Sequence, residues 1–377
     1  MNKRYLAYVL LGIIIIAVSC GENRRNLFSF QSQKEAYLKK LKKINTSLAH
    51  MWDSVGQHAL YSPVFLENSY AEIAFPQTVD ATAFQMELLP GEKLSILLHD
   101  TLSSGSIFSS LHIKDTLGNY QEILKPDTTR SFFEYATLQQ QQIVLLVQPT
   151  ANYLHPYSVK IQKGSSLGWP VAKTSYSNIG SFWGVDRDGG NRRHEGIDIF
   201  APRGRDVIAV ADGTIRRVGL NNLGGKVIFL RVDNMPASVY YAHLDSQYVQ
   251  SGDVVKKGDV IGAVGNTGNA ISTPPHLHFG VYTMGGAVNP LLFIRKQTEV
   301  SFPEPVNIDN VLATGIHNMA YYAAPETKSR KSTSNRADTF YVKGFTKGFT
   351  NNYFRIENNN GQKGFAPVRN WRKHFNN

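Results

Sequence analysis

The sequence predicts a mainly β, multidomain protein: a β-sandwich, then an antiparallel-sheet domain, then a small C-terminal barrel. Three observations carry this. The chain has 377 residues, two to three times the usual domain size, so two or three compact units are expected. Apolar and polar residues alternate with period two between about 61 and 165, with turn signals between the runs. From Trp169 to about Phe293, β-branched runs and Gly-containing turns follow one another without a helix-period segment longer than two turns. A composition 42% hydrophobic, 11% aromatic and 18% charged fills ordinary cores, and 31 Gly with 16 Pro excludes collagen-like and low-complexity classes.

Residues 1–19 read as an export signal. Lys3 and Arg4 precede an apolar run from Leu6 to Val18, too short for the roughly 20 residues a membrane-spanning helix needs. The run ends in Ala17-Val18-Ser19-Cys20, which resembles the lipobox of bacterial lipoproteins with Ala17 in place of the more usual Leu. Cys20 is the only cysteine, so no disulfide forms within the chain and Cys-rich zinc sites are excluded. The resemblance implies acylation of Cys20 and a protein lipid-anchored to a bacterial membrane, on the periplasmic side or at the cell surface.

Residues 20–60 should form an amphipathic helix near the anchor. Tyr37, Leu41, Ile44, Leu48 and Trp52 recur at helical spacing while Lys34, Lys39, Lys40, Lys42 and Lys43 fill the other face. Such a helix lies on lipid or packs on the next domain, and packing is the preferred reading. Residues 61–165 follow as the sandwich. Phe84, Met86 and Leu88 alternate with polar residues, as do Leu94, Ile96 and Leu98, and Tyr157, Val159 and Ile161. His99, His112 and His155 are isolated there and read as structural or solvated. Gly164 to Gly168 marks a linker into the sheet domain at 169–293. The segment 304–377 holds short strands around Phe340 to Phe345 and Tyr353 to Ile356.

Net charge is +11, and from Tyr321 onward eleven Lys and Arg face only Glu326, Asp338 and Glu357. A cationic tail outside the cytoplasm suits anionic wall polymers or lipid headgroups, not nucleic acid; otherwise it only solubilises.

Chemistry concentrates in the sheet domain. In His194-Glu195-Gly196-Ile197-Asp198-Ile199, a strand would set His194 and Asp198 on one face with Ile197 and Ile199 in the core. In Pro274-Pro275-His276-Leu277-His278-Phe279, period two again puts His276 and His278 on one face. His243 follows Tyr240-Tyr241-Ala242 on a third strand. A hydrolytic zinc site takes three His or carboxylate ligands and keeps one position open. His194, Asp198 and one of His276 and His278 satisfy that count, and the leftover histidines can move protons.

Residues 169–293 resemble the lysostaphin-type (LytM-like, peptidase family M23) zinc metalloendopeptidases, which cut peptidoglycan stem or bridge peptides. The resemblance rests on His194-Glu195-Gly196-Ile197-Asp198, Tyr241-Ala242-His243-Leu244, Gly265-Asn266-Thr267-Gly268, His276-Leu277-His278-Phe279 and Asn289-Pro290. It implies one zinc ion held by His194, Asp198 and His278, with His243 and His276 acting around the metal-bound water, in an open groove on a folded antiparallel sheet. Ile271 to Pro275 and Asp186 to Arg193 depart from the family's pattern, which leaves the scissile bond open. Phe182, Trp183 and Tyr241 are the aromatic candidates for binding substrate in the groove, and Glu195 faces solvent. Tyr353-Phe354-Arg355-Ile356 through Gly364-Phe365 resembles the end of a bacterial SH3-like module, often a wall-targeting unit.

A relative without catalysis, serving as a binding or activating module, is the competing class; such relatives lack ligands that are all present here. A lipoyl-like carrier, suggested by the Gly252 to Gly262 hairpin signals, leaves the histidines unexplained.

Overall fold

The computed structural model describes residues 32–100, 107–115, 117–126, 131–295, 300–303, 312–313, 320–326, 328–333, 339–348, 351–358 and 360–371. Residues 1–19, read above as an export signal, and Cys20 lie outside the described residues. Among the described residues no helix is long and apolar enough to cross a membrane.

The expected single helix is two. Helix α1, Gln33–Ile44, starts in a capping box between Ser32 and Glu35, and α2, Thr46–Tyr61, starts at Asn45, whose side chain accepts from the Leu48 N–H. Asn45, extended, ends one helix and caps the other, so the apolar stripe is interrupted and Ile44 is left 72% exposed. Tyr37, Leu41, Leu48 and Trp52 still converge on Phe108 of the sandwich. The Trp52 indole donates to the Pro149 carbonyl at 2.8 Å, and the Gln148 amide donates to the Trp52 carbonyl at 2.7 Å. The pair of helices therefore packs on the next domain.

One sheet of the sandwich runs in the order Val64–Phe65, Thr82–Leu88, Gln141–Pro149, Ile107–Lys114, Tyr120–Leu124. The other contains β1 (Tyr70–Ala74) paired to β2 (Tyr157–Ser165), then Glu92–Asp100 and Phe132–Ala136. The alternating residues that predicted these strands are all buried between the layers. His112 is buried as well, hydrogen-bonded to the Ser110 hydroxyl at 2.8 Å. Burial first, then the charges of Lys34 and Lys125, pull its pKa down from 6.5 to about 4. A histidine with a depressed folded pKa contributes stability that is present above its unfolded pKa and is lost as pH falls through the folded one. Folding free energy should therefore decline between about pH 6.5 and 4, with His112 contributing up to about 1.4 kcal/mol per pH unit. Urea titrations across that range should show a shallower decline in His112→Gln; an unchanged slope assigns the effect elsewhere.

The third sheet carries β3 (Ile197–Phe200), β4 (Gly225–Val232), β5 (Ala237–Gln247) and β6 (His276–Thr283). Its order is Ile179–Ser181, β3, β6, β5, β4, Gly213–Asn221, Val254–Val255, with every neighbour antiparallel. Odd-numbered residues of β3, β6 and the first part of β5, among them Ile197, Ile199, Tyr241, Leu277 and Phe279, fill its core together with the even-numbered Ile228 and Leu230 of β4. The alternate residues face the other way, and there the chemistry lies. The chain enters this sheet through Leu167 and leaves it through Phe293, and the Leu167 N–H donates to the Phe293 carbonyl at 2.9 Å.

Among the described residues, the C-terminal strands continue a sheet of the sandwich instead of standing apart as a barrel. Strand β7 (Phe340–Lys347) pairs with β1, and β8 (Asn352–Asn358) and Lys363–Pro367 extend the sheet further, so the tail completes the sandwich across the intervening domain. It keeps a small apolar cluster of its own around Phe340, Phe345 and Ile356, packed on Phe75. The seam is locked by a buried ion pair: Arg355 Nε lies 2.8 Å from Glu72 Oε2 and Nη2 3.0 Å from Oε1, with the Tyr70 hydroxyl donating to Oε2 at 2.7 Å. Lys343, also buried, pairs with Asp80 at 2.8 Å. Part of the tail's positive charge is thus neutralised inside the fold.

Candidate metal centre

Register brings the ligands together. Asp198 on β3 stands directly opposite His278 on β6, which places their side chains side by side on one face. His194 is not in the strand as the alternation suggested; β3 begins at Ile197, and His194 precedes it, after the short hairpin strands Asp186–Arg187 and Arg192–Arg193. Its backbone is fixed by Gly184 N–H to the His194 carbonyl at 2.9 Å and His194 N–H to the Val185 carbonyl at 2.8 Å. Gly196 bridges hairpin and strand. A Cβ there would lie 2.6 Å from Cε1 of His278 and 2.7 Å from the Phe279 carbonyl, so the imidazole rests on bare backbone. Gly196→Ala should push the His278 ring out of place and weaken metal binding at this cluster about 10- to 100-fold; titration with a divalent metal would reveal it, and wild-type affinity would mean the neighbours yield.

Three atoms converge. His194 Nε2 is 3.0 Å from Asp198 Oδ1 and 2.9 Å from His278 Nδ1, which is itself 3.0 Å from Asp198 Oδ1. The His194 Nδ1–H donates to the Phe182 carbonyl at 2.8 Å, so Nε2 carries a lone pair toward the cluster. Burial opposes ionisation of Asp198, but the closeness of His194 and His278 outweighs it and holds the carboxyl well below its usual range. Burial pushes the His278 pKa down, favouring neutral imidazole. Lone pairs and a carboxylate this close repel unless a cation sits among them, and two imidazoles with one carboxylate are a donor set that suits zinc.

His243 and His276 stand beside the ligands, their rings 5.0 Å apart and that of His243 5.9 Å from His278. Both are buried, and both tie Nδ1–H to a backbone carbonyl, Thr267 at 2.8 Å and Pro274 at 2.9 Å, which leaves Nε2 free. Strict alternation would turn His243 into the core with Tyr241. It is rescued by a bulge: the step from Tyr241 to Leu244 on β5 opposes the shorter step from Ile228 to Lys226 on β4, and His243 adopts φ +61°. Ala242 and His243 then both face the groove while Leu244 returns to the core.

The groove has a volume of about 1210 Å³ and includes all five of these residues. The aromatic assignments need correction. Tyr241 has 0% exposure, its hydroxyl accepts from the Val210 N–H at 3.1 Å and its ring packs on Phe279, so it belongs to the core. Its neighbour Tyr240 lines the groove instead, with Phe229 and Tyr282 from the flanking strands at 4.6 and 6.2 Å between ring centres. The parity of Val239 and Tyr241 was the signal that could have separated the two tyrosines. Phe182 is 50% exposed and serves the site through its carbonyl; neither it nor Trp183 is among the groove-lining residues. Glu195 is exposed at the rim, as expected. Arg187, which the sequence did not single out, places Nη2 2.6 Å from Asp198 Oδ2.

Residues 192–290 match Peptidase family M23. A Haemophilus influenzae protein named "Uncharacterized metalloprotease" is 45% identical over 101 residues, 26% of this chain and 21% of its own length. The L-Ala–D-Glu endopeptidase of Bacillus subtilis is 40% identical over 122 residues, 30% of this chain and 37% of its own. The peptidoglycan DD-endopeptidase ShyC of Vibrio cholerae is 34% identical over 99 residues, 26% of this chain and 22% of its own. The chain thus spans well under two thirds of the length of these relatives, and the similarity centres on the metal-site domain.

Proposed function

We propose, from the peptidase family M23 domain that residues 192–290 form, that this protein is a zinc-dependent endopeptidase hydrolysing amide bonds in peptidoglycan stem or cross-link peptides. The observation that carries the reading is the convergence of His194 Nε2, Asp198 Oδ1 and His278 Nδ1 within 3.0 Å of one another beside an open groove. These three would hold one zinc ion. When bound, zinc supplies a Lewis acid for the scissile carbonyl and makes water acidic enough to lose a proton near neutral pH. The protein's own residues do the rest. His243, its pKa lowered to about 4 chiefly by burial, is unprotonated at neutral pH and can accept a proton at Nε2. His276, beside it and against the ring of Phe200, also has Nε2 free, so it can take up a proton there and pass that proton to the departing amine. The wall formed by Phe229, Tyr240 and Tyr282 excludes water from one flank and offers apolar contact to the substrate.

Substrate and location in this reading come from the relatives' names and from the N-terminal sequence. The relatives' names include two different scissile bonds, so a peptide of the wall is the shared chemistry. Acylation at Cys20 would anchor the enzyme to a bacterial membrane within reach of that polymer, with the basic tail as an accessory wall contact.

Digestion of purified sacculi followed by mass spectrometry of the muropeptides tests the function and names the bond. New free amines are expected, abolished by a chelator and restored by zinc. Intact muropeptides after digestion with the zinc-loaded protein would leave the binding-module reading.

A further inference from the structure

The two oxygens of Asp198 are divided between different partners. Oδ1 faces both imidazoles, while Oδ2 is 2.6 Å from Arg187 Nη2. We infer that Arg187 is a positioning residue of the metal centre, which occupies Oδ2 and thereby offers a metal only Oδ1; this rests on the zinc reading above.

Three features support it. The same Nη2 reaches the Ser181 hydroxyl at 2.8 Å, and that hydroxyl lies 3.3 Å from His194 Nδ1, so one guanidinium braces two of the three ligands. Ser181, Asp198 and His278 occupy one cross-strand row, Ser181 opposite Asp198 and Asp198 opposite His278, which fixes the brace in register with the cluster. Arg187 also stands on the hairpin that leads into His194, with Arg187 paired to Arg192 and Asp186 to Arg193. The Asp198 carboxylate is buried, and a buried carboxylate with one oxygen unpaired would turn to satisfy it. With both oxygens free, the nearest cation would take both. A carboxylate held to one oxygen instead leaves a coordination position open for water and substrate.

The test uses the mature chain with cobalt as a spectroscopic stand-in for zinc. Arg187→Ala should lower zinc affinity about 10- to 100-fold in competition with a chelating dye. The visible cobalt bands should weaken as the second oxygen enters and the coordination number rises. Arg187→Lys, which keeps a charge within reach of Oδ2, should recover most of the affinity and the wild-type spectrum, a rescue that a purely structural strap would not show. Arg187→Gln gives the same readings as alanine should the smaller residue prevent folding. Unchanged affinity and cobalt spectrum in both neutral variants overturn the inference while leaving the function intact. A wild-type protein that takes up neither metal overturns both.

Discussion

His278→Ala is expected to bring zinc content from about one per chain to none and to cut amide hydrolysis about a thousandfold or more, because the several kcal/mol a metal contributes to the transition state goes with it. The ring is the midpoint of the cluster. Its Nδ1 meets both other ligand atoms, it rests over Gly196, and opposite it in the register stands Ala242, whose small side chain leaves it room. Removal leaves one imidazole and one carboxylate, too few to fix a hydrolytic zinc. The fold should survive, since Leu277 and Phe279 on either side carry the packing of β6 and point away from the groove. Metal analysis, a muropeptide digest and thermal unfolding of the apo form measure the three parts separately. Retained zinc with lost activity would move the third ligand to His276.

The largest effect on stability is expected far from that site. Arg355→Ala should cost about 3–5 kcal/mol, because it leaves Glu72 as an uncompensated charge in the interior. Glu72 has no exposed surface and Arg355 almost none, the pair is joined by two hydrogen bonds, and the Tyr70 hydroxyl completes the shell. Gly344 leaves space for it, since a Cβ there would sit 2.4 Å from Glu72 Oε2 and no other residue type would fit beside the carboxylate. Replacing both partners, Glu72→Leu with Arg355→Met, should by contrast be near neutral, because no charge is left stranded. Urea denaturation of the three variants decides it. A loss under about 1 kcal/mol in the single mutant would show that water reaches Glu72 when Arg355 is gone.

Most of the metal site was legible because it is built from short-range patterns. A histidine two residues from another on a strand, and an aspartate between two isoleucines, specify faces without knowledge of the fold. What was not legible depends on departures from regular geometry or on distant partners. The bulge at His243 inverts the alternation locally, so parity carried forward from Val239 and Tyr241 would have buried a groove-lining residue, while parity counted back from His243 puts Tyr241 in the groove in place of Tyr240. The break at Asn45 hides inside a periodic stripe because Ile44 fits the period and yet faces water. Arg187 reads as one of many basic residues until the hairpin folds it onto Asp198. The tail looked self-contained because strand segments do not announce their partners; only the pairing of Ile73 with Phe345 and its neighbours reveals where it belongs.

That pairing changes how the metal-site domain is carried. Because one host layer is assembled from chain on both sides of it, and Leu167 touches Phe293 at the neck, the unit is a guest hung from two points. A module on one tether sweeps a cone; a module on two can only rock about the line between them. Peeling β7 away from β1 would leave only one of these attachments.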